Sequence, residues 1–201
     1  MSQIPQLMSG RALEHGISLM VDHGGESSKK MHVISQANAD VADGSALNNS
    51  TDETALASYT IPKNTLVAGS TIRIRAAGIL SAHATGNATI QLKLDTSDTA
   101  IGSAESIATT GSTGSLNAND IYDFDSLIQV RTAGSSGTAV GVTNFSFETP
   151  TTAGEHSLKP SFTLDTTKDN IVQITGEFAA ANAGNTLVNG LFVVEQVNPS
   201  T

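Results

Sequence analysis

Cysteine and tryptophan are absent from this chain of 201 residues. The absence of cysteine excludes disulfides, thiolate metal ligands and cysteine nucleophiles, so the fold must be stabilised by packing and assembly. Aromatic residues make up only 4% of the sequence. Sugar-binding β-sandwiches commonly present an exposed aromatic ring to the sugar, so this scarcity leaves little support for a carbohydrate-binding module.

Positive charge is also scarce, since ten Lys and Arg stand against nineteen Asp and Glu and give a net charge of −9. Binding to a phosphate backbone depends on basic residues that release counterions, so nucleic acid is not expected as a partner. No stretch approaches the about 18 consecutive apolar residues of a membrane span. The N-terminus also lacks the basic and apolar segments of a secretory signal. We therefore expect a soluble, unexported protein with no membrane partner.

No arrangement of residues in the sequence predicts catalysis or a cofactor. The Gly-x-Ser-x-Gly elbow of serine hydrolases is missing. His156 directly follows Glu155, and such an isolated pair is more typical of a solvated loop than of an active site. The acidic stretch 119–125 lacks the glycine and the distant carboxylate of a calcium loop, and it predicts a solvated turn entering a strand. The sequence thus identifies no catalytic, cofactor or metal site, and we expect a non-enzymatic protein.

Gly, Ser, Thr, Asn and Ala dominate the chain, which is typical of turn-rich β proteins. From about residue 54 onward, short alternating apolar runs recur between Gly- and Asn-rich turns. The predicted strands are 55–61, 71–80, 88–94, 104–109, 124–131, 140–148, 157–164, 171–179 and 187–196. With no convincing helix, this spacing predicts an all-β fold, an antiparallel β-sandwich or jelly roll of about eight strands.

Two further features constrain individual strands. Pro62 and Pro160 have no backbone N–H to donate, so we expect their strands to lie at a sheet edge or to begin there. Residues 191–194 form a continuous apolar run, Leu-Phe-Val-Val, which predicts a strand covered on both faces. An assembly surface is one source of the second cover.

Residues 1–50 show no clean alternation and predict an N-terminal arm, extended or partly helical, ahead of a jelly-roll domain at 51–201. One face of the arm carries apolar residues at helical spacing, namely Leu13, Ile17, Met20 and Val21. A loosely ordered tail is one interpretation of this segment. The alternative is docking of these residues on a partner, because a tail that stays solvated rarely contains such an apolar cluster.

The alternation Thr-Ile-Arg-Ile-Arg at 71–75 places both guanidinium groups on the face opposite Ile72 and Ile74. Two interpretations stay open for this basic stripe. Arg73 and Arg75 either lie on a solvated outer face or pair with Asp or Glu of a neighbouring strand or subunit. The second interpretation makes Arg73 and Arg75 a candidate subunit interface.

Two stretches carry a family resemblance: Ala-Ser-Tyr-Thr-Ile-Pro-Lys-Asn-Thr-Leu at 57–66 and Ser-Thr-Ile-Arg-Ile-Arg-Ala-Ala-Gly at 70–78. Together they resemble the opening of jelly-roll domains in the virion structural proteins of tailed bacteriophages. The strand Ala-Thr-Ile-Gln-Leu-Lys-Leu at 88–94 and the segment 165–176 extend the resemblance, which covers about residues 54–197.

This resemblance implies either a head decoration (cement) protein, often trimeric, or a tail or fibre module that contacts the host. The short chain leaves no room for a fibre shaft or a coiled-coil repeat, which favours decoration of the head. We therefore expect a homotrimer on the outer surface of the virion head, with the arm bound to the major capsid protein. The alternative partners are tail proteins or a host surface glycan.

Overall fold

The computed structural model describes residues 35–39, 46–82, 87–95, 104–113, 118–148 and 156–197. The regular secondary structure of these ranges consists of strands alone. The strands are β1 (Ser35–Ala39), β2 (Leu47–Asn48), β3 (Thr54–Ile61), β4 (Thr71–Ser81), β5 (Ala88–Asp95), β6 (Glu105–Thr109), β7 (Asp120–Thr132), β8 (Thr138–Phe147), β9 (His156–Thr163), β10 (Asn170–Phe178) and β11 (Thr186–Gln196). Each strand predicted from the sequence is present.

The strands form two antiparallel sheets. The seven-stranded sheet has the order β1-β11-β4-β7-β8-β9, with β2 also paired to β11, and the four-stranded sheet has the order β3-β10-β5-β6. The chain crosses between the sheets after β2, β3, β4, β6, β9 and β10. This path through two sheets is that of a jelly roll, in which β8 and β9 extend the larger sheet. The predicted fold class is confirmed.

The two sheets share one hydrophobic core, which period-two alternation builds from one face of each strand. In β4 the inward residues Ile72, Ile74 and Leu80 are fully buried, and Ile90 and Leu92 of β5 meet them from the other sheet. Burial of a side chain of this size contributes about 1.5–3 kcal/mol. The core therefore supplies the stability that disulfides cannot.

Both prolines lie where the sequence predicted them. Pro62 follows the last residue of β3, the edge strand of the smaller sheet, and Pro160 lies in β9, the edge strand of the larger sheet. Opposite Pro160 the β8–β9 register shifts between Ala139 and Gly141. The expectation that these strands lie at sheet edges is confirmed, because only an edge tolerates the missing donor.

The acidic stretch 119–125 was predicted as a solvated turn entering a strand. A turn at 118–119 does enter a strand, but residues 120–125 already belong to that strand, so the predicted extent of the turn is wrong. β7 begins at Asp120, four residues before the predicted start. The physical reason is alternation: Tyr122 and Phe124 are buried in the core, and this holds Asp123 and Asp125 on the opposite face of the sheet. The carboxylates interrupt the hydrophobic pattern in the sequence without interrupting the strand.

Two strands come from the segment 1–50 that was predicted as an arm. β1 and β2 both pair with β11, so the division at residue 50 runs through the larger sheet. Residues 1–34 precede β1, and the apolar arm residues Leu13, Ile17, Met20 and Val21 lie outside the described residues. Docking of the arm on a partner stays a prediction.

The strand β11 lies inside the larger sheet, between β1 and β4. Its inward residues Leu187, Phe192 and Val194 are fully buried in the core. On the opposite face Val193 is half-buried and Leu191 is exposed. One face of the predicted apolar run is thus covered by the core, and the other face is covered only in part.

Gly78 of β4 lies where there is no room for a side chain. A Cβ added there would overlap the carbonyl oxygen of Val188 and come 2.6 Å from the hydroxyl oxygen of Tyr122. Because one of these atoms belongs to the backbone, Gly78→Ala should lower the free energy of unfolding by about 2–3 kcal/mol in urea denaturation. The neighbouring Ala77→Ser on the half-buried opposite face should change it by less than about 0.5 kcal/mol. Equal effects of the two changes would contradict the close approach.

Candidate interaction surface

The outer face of the seven-stranded sheet, which points away from the core, carries charged side chains near its centre and apolar side chains on either side. Antiparallel register aligns its side chains in rows that run across the strands, and four of these rows carry the ion pairs and the exposed apolar side chains. The first row is Glu195, Arg73, Leu127, Val142 and Leu158; the second is Val193, Arg75, Asp125, Asn144 and His156; the third is Leu191, Ala77, Asp123 and Ser146; the fourth is Val188, Ile79 and Ile121.

Arg73 forms a bidentate ion pair with Asp125 on the neighbouring strand. Its Nε donates to Asp125 Oδ1 at 3.0 Å, and its Nη2 donates to Oδ2 at 2.6 Å. The two side chains are 40% and 34% exposed. The parallel donors of a guanidinium match the two oxygens of a carboxylate, so this geometry fixes both side chains.

Arg75 forms a much looser pair with Asp123. Its Nη2 lies 3.9 Å from Asp123 Oδ2, which is beyond hydrogen-bonding distance. The other carboxylate oxygen, Asp123 Oδ1, is shielded from solvent and has no hydrogen-bond partner. The Asp123 side chain as a whole is 41% exposed, so its accessible oxygen is Oδ2, and this oxygen receives no hydrogen bond from Arg75. The pair is therefore incomplete within the single chain.

The close pair of Arg73 and Asp125 also shifts the pKa values of both groups. The hydrogen bond from Arg73 lowers the pKa of Asp125 below its ordinary value, although partial burial opposes this effect. The same hydrogen bond raises the pKa of Arg73. Asp125 is therefore ionised in the folded chain at neutral pH, and its pairing contributes stability that is lost only as the pH falls through the lowered pKa.

Apolar side chains flank the charged centre of the outer face on both sides. Leu127, Val142 and Leu158 stand next to one another in the first row, and Leu158 is 64% exposed. In the fourth row Ile79 lies opposite Ile121, and both are about half exposed. A larger exposed apolar patch of this kind is typical of an interaction surface.

Two shallow depressions lie on this face. One, of about 270 Å³, is lined by Arg73, Asp125, Leu127, Val142, Asn144, Glu195 and Val197. The other, of about 330 Å³, is lined by Asp123, Asp125, Asn144, Phe145, Ser146 and His156. In the second depression His156 Nδ1 lies 2.8 Å from Asn144 Oδ1, a hydrogen bond that holds both side chains along the sheet. His156 thus sits in a strand and not in the predicted loop.

The eight aromatic residues of the chain point inward. Tyr59 and Phe147 are half-buried against the core, and the other six are buried: Tyr122, Phe124, Phe145, Phe162, Phe178 and Phe192. Phe124 and Phe145 stack with ring centroids 5.4 Å apart beneath the outer face. No aromatic side chain is exposed on the outer face, where Phe145 lines the second depression but is only 4% exposed, so a glycan on this surface would meet mainly polar and aliphatic side chains.

Arg73 and Arg75, predicted from the sequence as a candidate interface, lie beside two carboxylates of the acidic stretch 119–125. The sequence did not indicate this proximity. The partners Asp123 and Asp125 were missed because 52 residues separate Arg73 from Asp125 along the chain. The alternation of acidic with aromatic residues at 120–125 was the available signal. Among the described residues, no group of three or more His, Asp or Glu is placed to hold a metal ion.

Comparison with known proteins finds a similarity among solved structures. No family model matches the chain, and no curated protein matches it. The CBM2 module of the evolved Dit protein of Lactobacillus casei BL23 phage J-1 is similar, with a TM-score of 0.35, 12% identity and coverage of 72% of this chain and 70% of that chain. A similarity this distant carries no conclusion about the function of this chain.

In the described ranges, no helix is long and apolar enough to cross a membrane.

The two ion pairs of the outer face give a matched comparison. In a double-mutant cycle of Arg73→Gln and Asp125→Asn, we expect a coupling free energy of at most about 1 kcal/mol at neutral pH, because solvent screens both partly exposed side chains. The cycle of Arg75→Gln and Asp123→Asn should give less than about 0.3 kcal/mol, because the charges lie farther apart. Urea denaturation of the single and double variants, in solutions dilute enough for the chain to be monomeric, measures both couplings.

The coupling of the first pair should depend on pH. Because the folded pKa of Asp125 is lowered, the stabilisation is fully present above the ordinary pKa of an aspartate, about 3.9, and disappears below it as the carboxylate is protonated. Urea denaturation at a series of pH values from about 2 to about 7 measures this change. Equal coupling in the two cycles, or coupling that grows on acidification, would contradict the assigned geometry.

Proposed function

We propose that this chain is a non-enzymatic structural protein of a tailed-bacteriophage virion, a jelly-roll module that decorates the assembled head. The observation that carries the proposal is the jelly-roll strand order, which arises from the same stretches that resemble phage virion domains. The opening stretches 57–66 and 70–78 become β3, its following turn and β4. The proposal extends this fold to a role on the head.

In this proposal the segment before β1 acts as the anchor. β1, the first described strand, lies at one edge of the larger sheet. In the proposal, the apolar arm residues Leu13, Ile17, Met20 and Val21 bind the major capsid protein. The compact sandwich then stands on the outer surface of the head, where it braces neighbouring capsomers.

The mechanism of stabilisation is mass action. A protein that binds the assembled shell and not its separated subunits stabilises the shell by RT ln(1 + [L]/Kd). Several copies joined in one oligomer raise the effective concentration of each arm at its site, which increases the total affinity without new contacts. The homotrimer predicted from the sequence would provide such multivalency, and so would a dimer.

The arm is tested in the full-length chain. We expect the combined changes Leu13→Ser, Ile17→Ser, Met20→Ser and Val21→Ser to weaken binding to heads that lack the protein by at least about 100-fold, because several arms act together. Co-sedimentation of purified protein with such heads measures this binding. Ile4→Ser combined with Leu7→Ser, in the same segment but off the predicted face, serves as the control and should bind almost normally.

Two results would contradict the proposal. Full binding by the variant with four changes, or by a chain that lacks residues 1–34 but keeps β1 and β2, would exclude the arm as the anchor. Electron microscopy of virions with antibody bound to the protein distinguishes a location on the head from a location on the tail or its fibres. Label on the tail or its fibres, and none on the head, would favour a module that contacts tail proteins or a host surface glycan.

A further inference from the structure

The ion pair of Arg75 and Asp123 at the centre of the outer face is incomplete. Arg75 makes no hydrogen bond to Asp123 at 3.9 Å, and Asp123 Oδ1 is shielded from solvent without a donor. A guanidinium carries five N–H donors in a planar fork. The face thus offers the unused donors of Arg75 beside the accessible oxygen of Asp123, Oδ2, next to the completed pair of Arg73 and Asp125.

The surroundings of this pair are those of a protein interface. Of the seven large apolar side chains exposed in the described part of the chain, six point out from the outer face, namely Ile79, Ile121, Leu127, Val142, Leu158 and Leu191. They lie on either side of the charged centre. An apolar surface with an arginine near its middle has the composition of an interface hot spot.

The balance of charge favours a second copy of this chain as the occupant. The whole chain carries a net charge of −9, so two copies repel each other through most of their surface. The outer face differs, because Arg73 and Arg75 stand there among Asp123, Asp125 and Glu195. A second copy brings the same near-balanced set, in which each arginine can meet a carboxylate.

The size of the face is sufficient. The four rows hold five, five, four and three side chains, and each side chain covers about 4.8 Å by about 6.8 Å of the sheet. That is about 550 Å² of flat area on each copy, or about 1,100 Å² for the pair, the size of a small, weak interface.

We propose that two copies of the chain associate through their outer faces about a two-fold axis, so that Arg75 of each copy pairs with Asp123 of the other. A two-fold interface is self-complementary, and one exchanged contact therefore occurs twice. The exchange gives the accessible oxygen, Asp123 Oδ2, a donor at hydrogen-bonding distance in place of the 3.9 Å separation within one chain. It also covers the apolar rows on both sides. This pairing does not depend on the proposed role on the virion.

Single charge reversals test the interface. In sedimentation velocity, the unchanged protein should have twice the chain mass at about 100 µM, within the range of a modest interface. Arg75→Asp and Asp123→Arg should each weaken association by at least about 30-fold, because each places like charges opposite each other. Lys63→Asp makes the same change of charge at an exposed turn after β3, and it should leave the mass unchanged.

Mixing the two variants separates contacts between copies from contacts within a chain. Neither variant can form the 75–123 ion pair within its own chain, and neither can form it with an identical copy. In a mixed pair, however, the acidic groups of Arg75→Asp meet the basic groups of Asp123→Arg at both exchanged contacts. An equimolar mixture should therefore recover the dimer mass, with affinity within about tenfold of the unchanged protein.

Several results would overturn the inference. An unchanged protein that is monomeric at this concentration would exclude the interface, and a trimer mass would favour the homotrimer predicted from the sequence instead of a two-fold pair. Retention of the dimer by both single variants would show that these residues lie outside the contact. A mixture that stays monomeric while both variants unfold at the temperature of the unchanged protein would exclude the exchanged pairing.

Discussion

The pairing of β4 with β11 on one side and β7 on the other is the constraint on which the larger sheet depends. One register must satisfy both neighbours, and a shift by a single residue would move Ile72 and Ile74 to the outer face and the arginines into the core. Gly78 adds a second requirement, because only a residue without a side chain fits between the Val188 carbonyl and Tyr122. Core packing therefore determines which side chains reach the surface.

The outer face follows from that register. Once the aromatic residues of β7 are buried, its carboxylates must point outward beside the arginines of β4. The same alternation leaves one guanidinium fully paired and the other without a hydrogen bond to its nearest carboxylate. A surface with nearly balanced charge and apolar margins is unusual on so acidic a chain, which is why association of two copies is the interaction that we infer from it.

Much of the fold was predictable from the sequence because alternation is a local signal. The strands β3 to β6 and β8 to β11 were predicted within two residues at each end, and the prolines marked the edges. Long-range pairing was not predictable in the same way. Nothing near Arg73 in the sequence indicates Asp125, and the short strands β1 and β2 form only because β11 supplies their hydrogen-bonding partner. The apolar rows were missed for the same reason, since Leu127, Val142 and Leu158 come from three separate strands.

A distance between two copies tests the face-to-face association most directly. The chain has no cysteine, so Ser146→Cys on the exposed outer face of β8 accepts a single nitroxide label. Sheets that pack face to face lie about 10 Å apart, and pulsed electron resonance should therefore give one distance between labels, shorter than about 35 Å. A dimeric sample that shows no distance in that range would contradict association through the outer face.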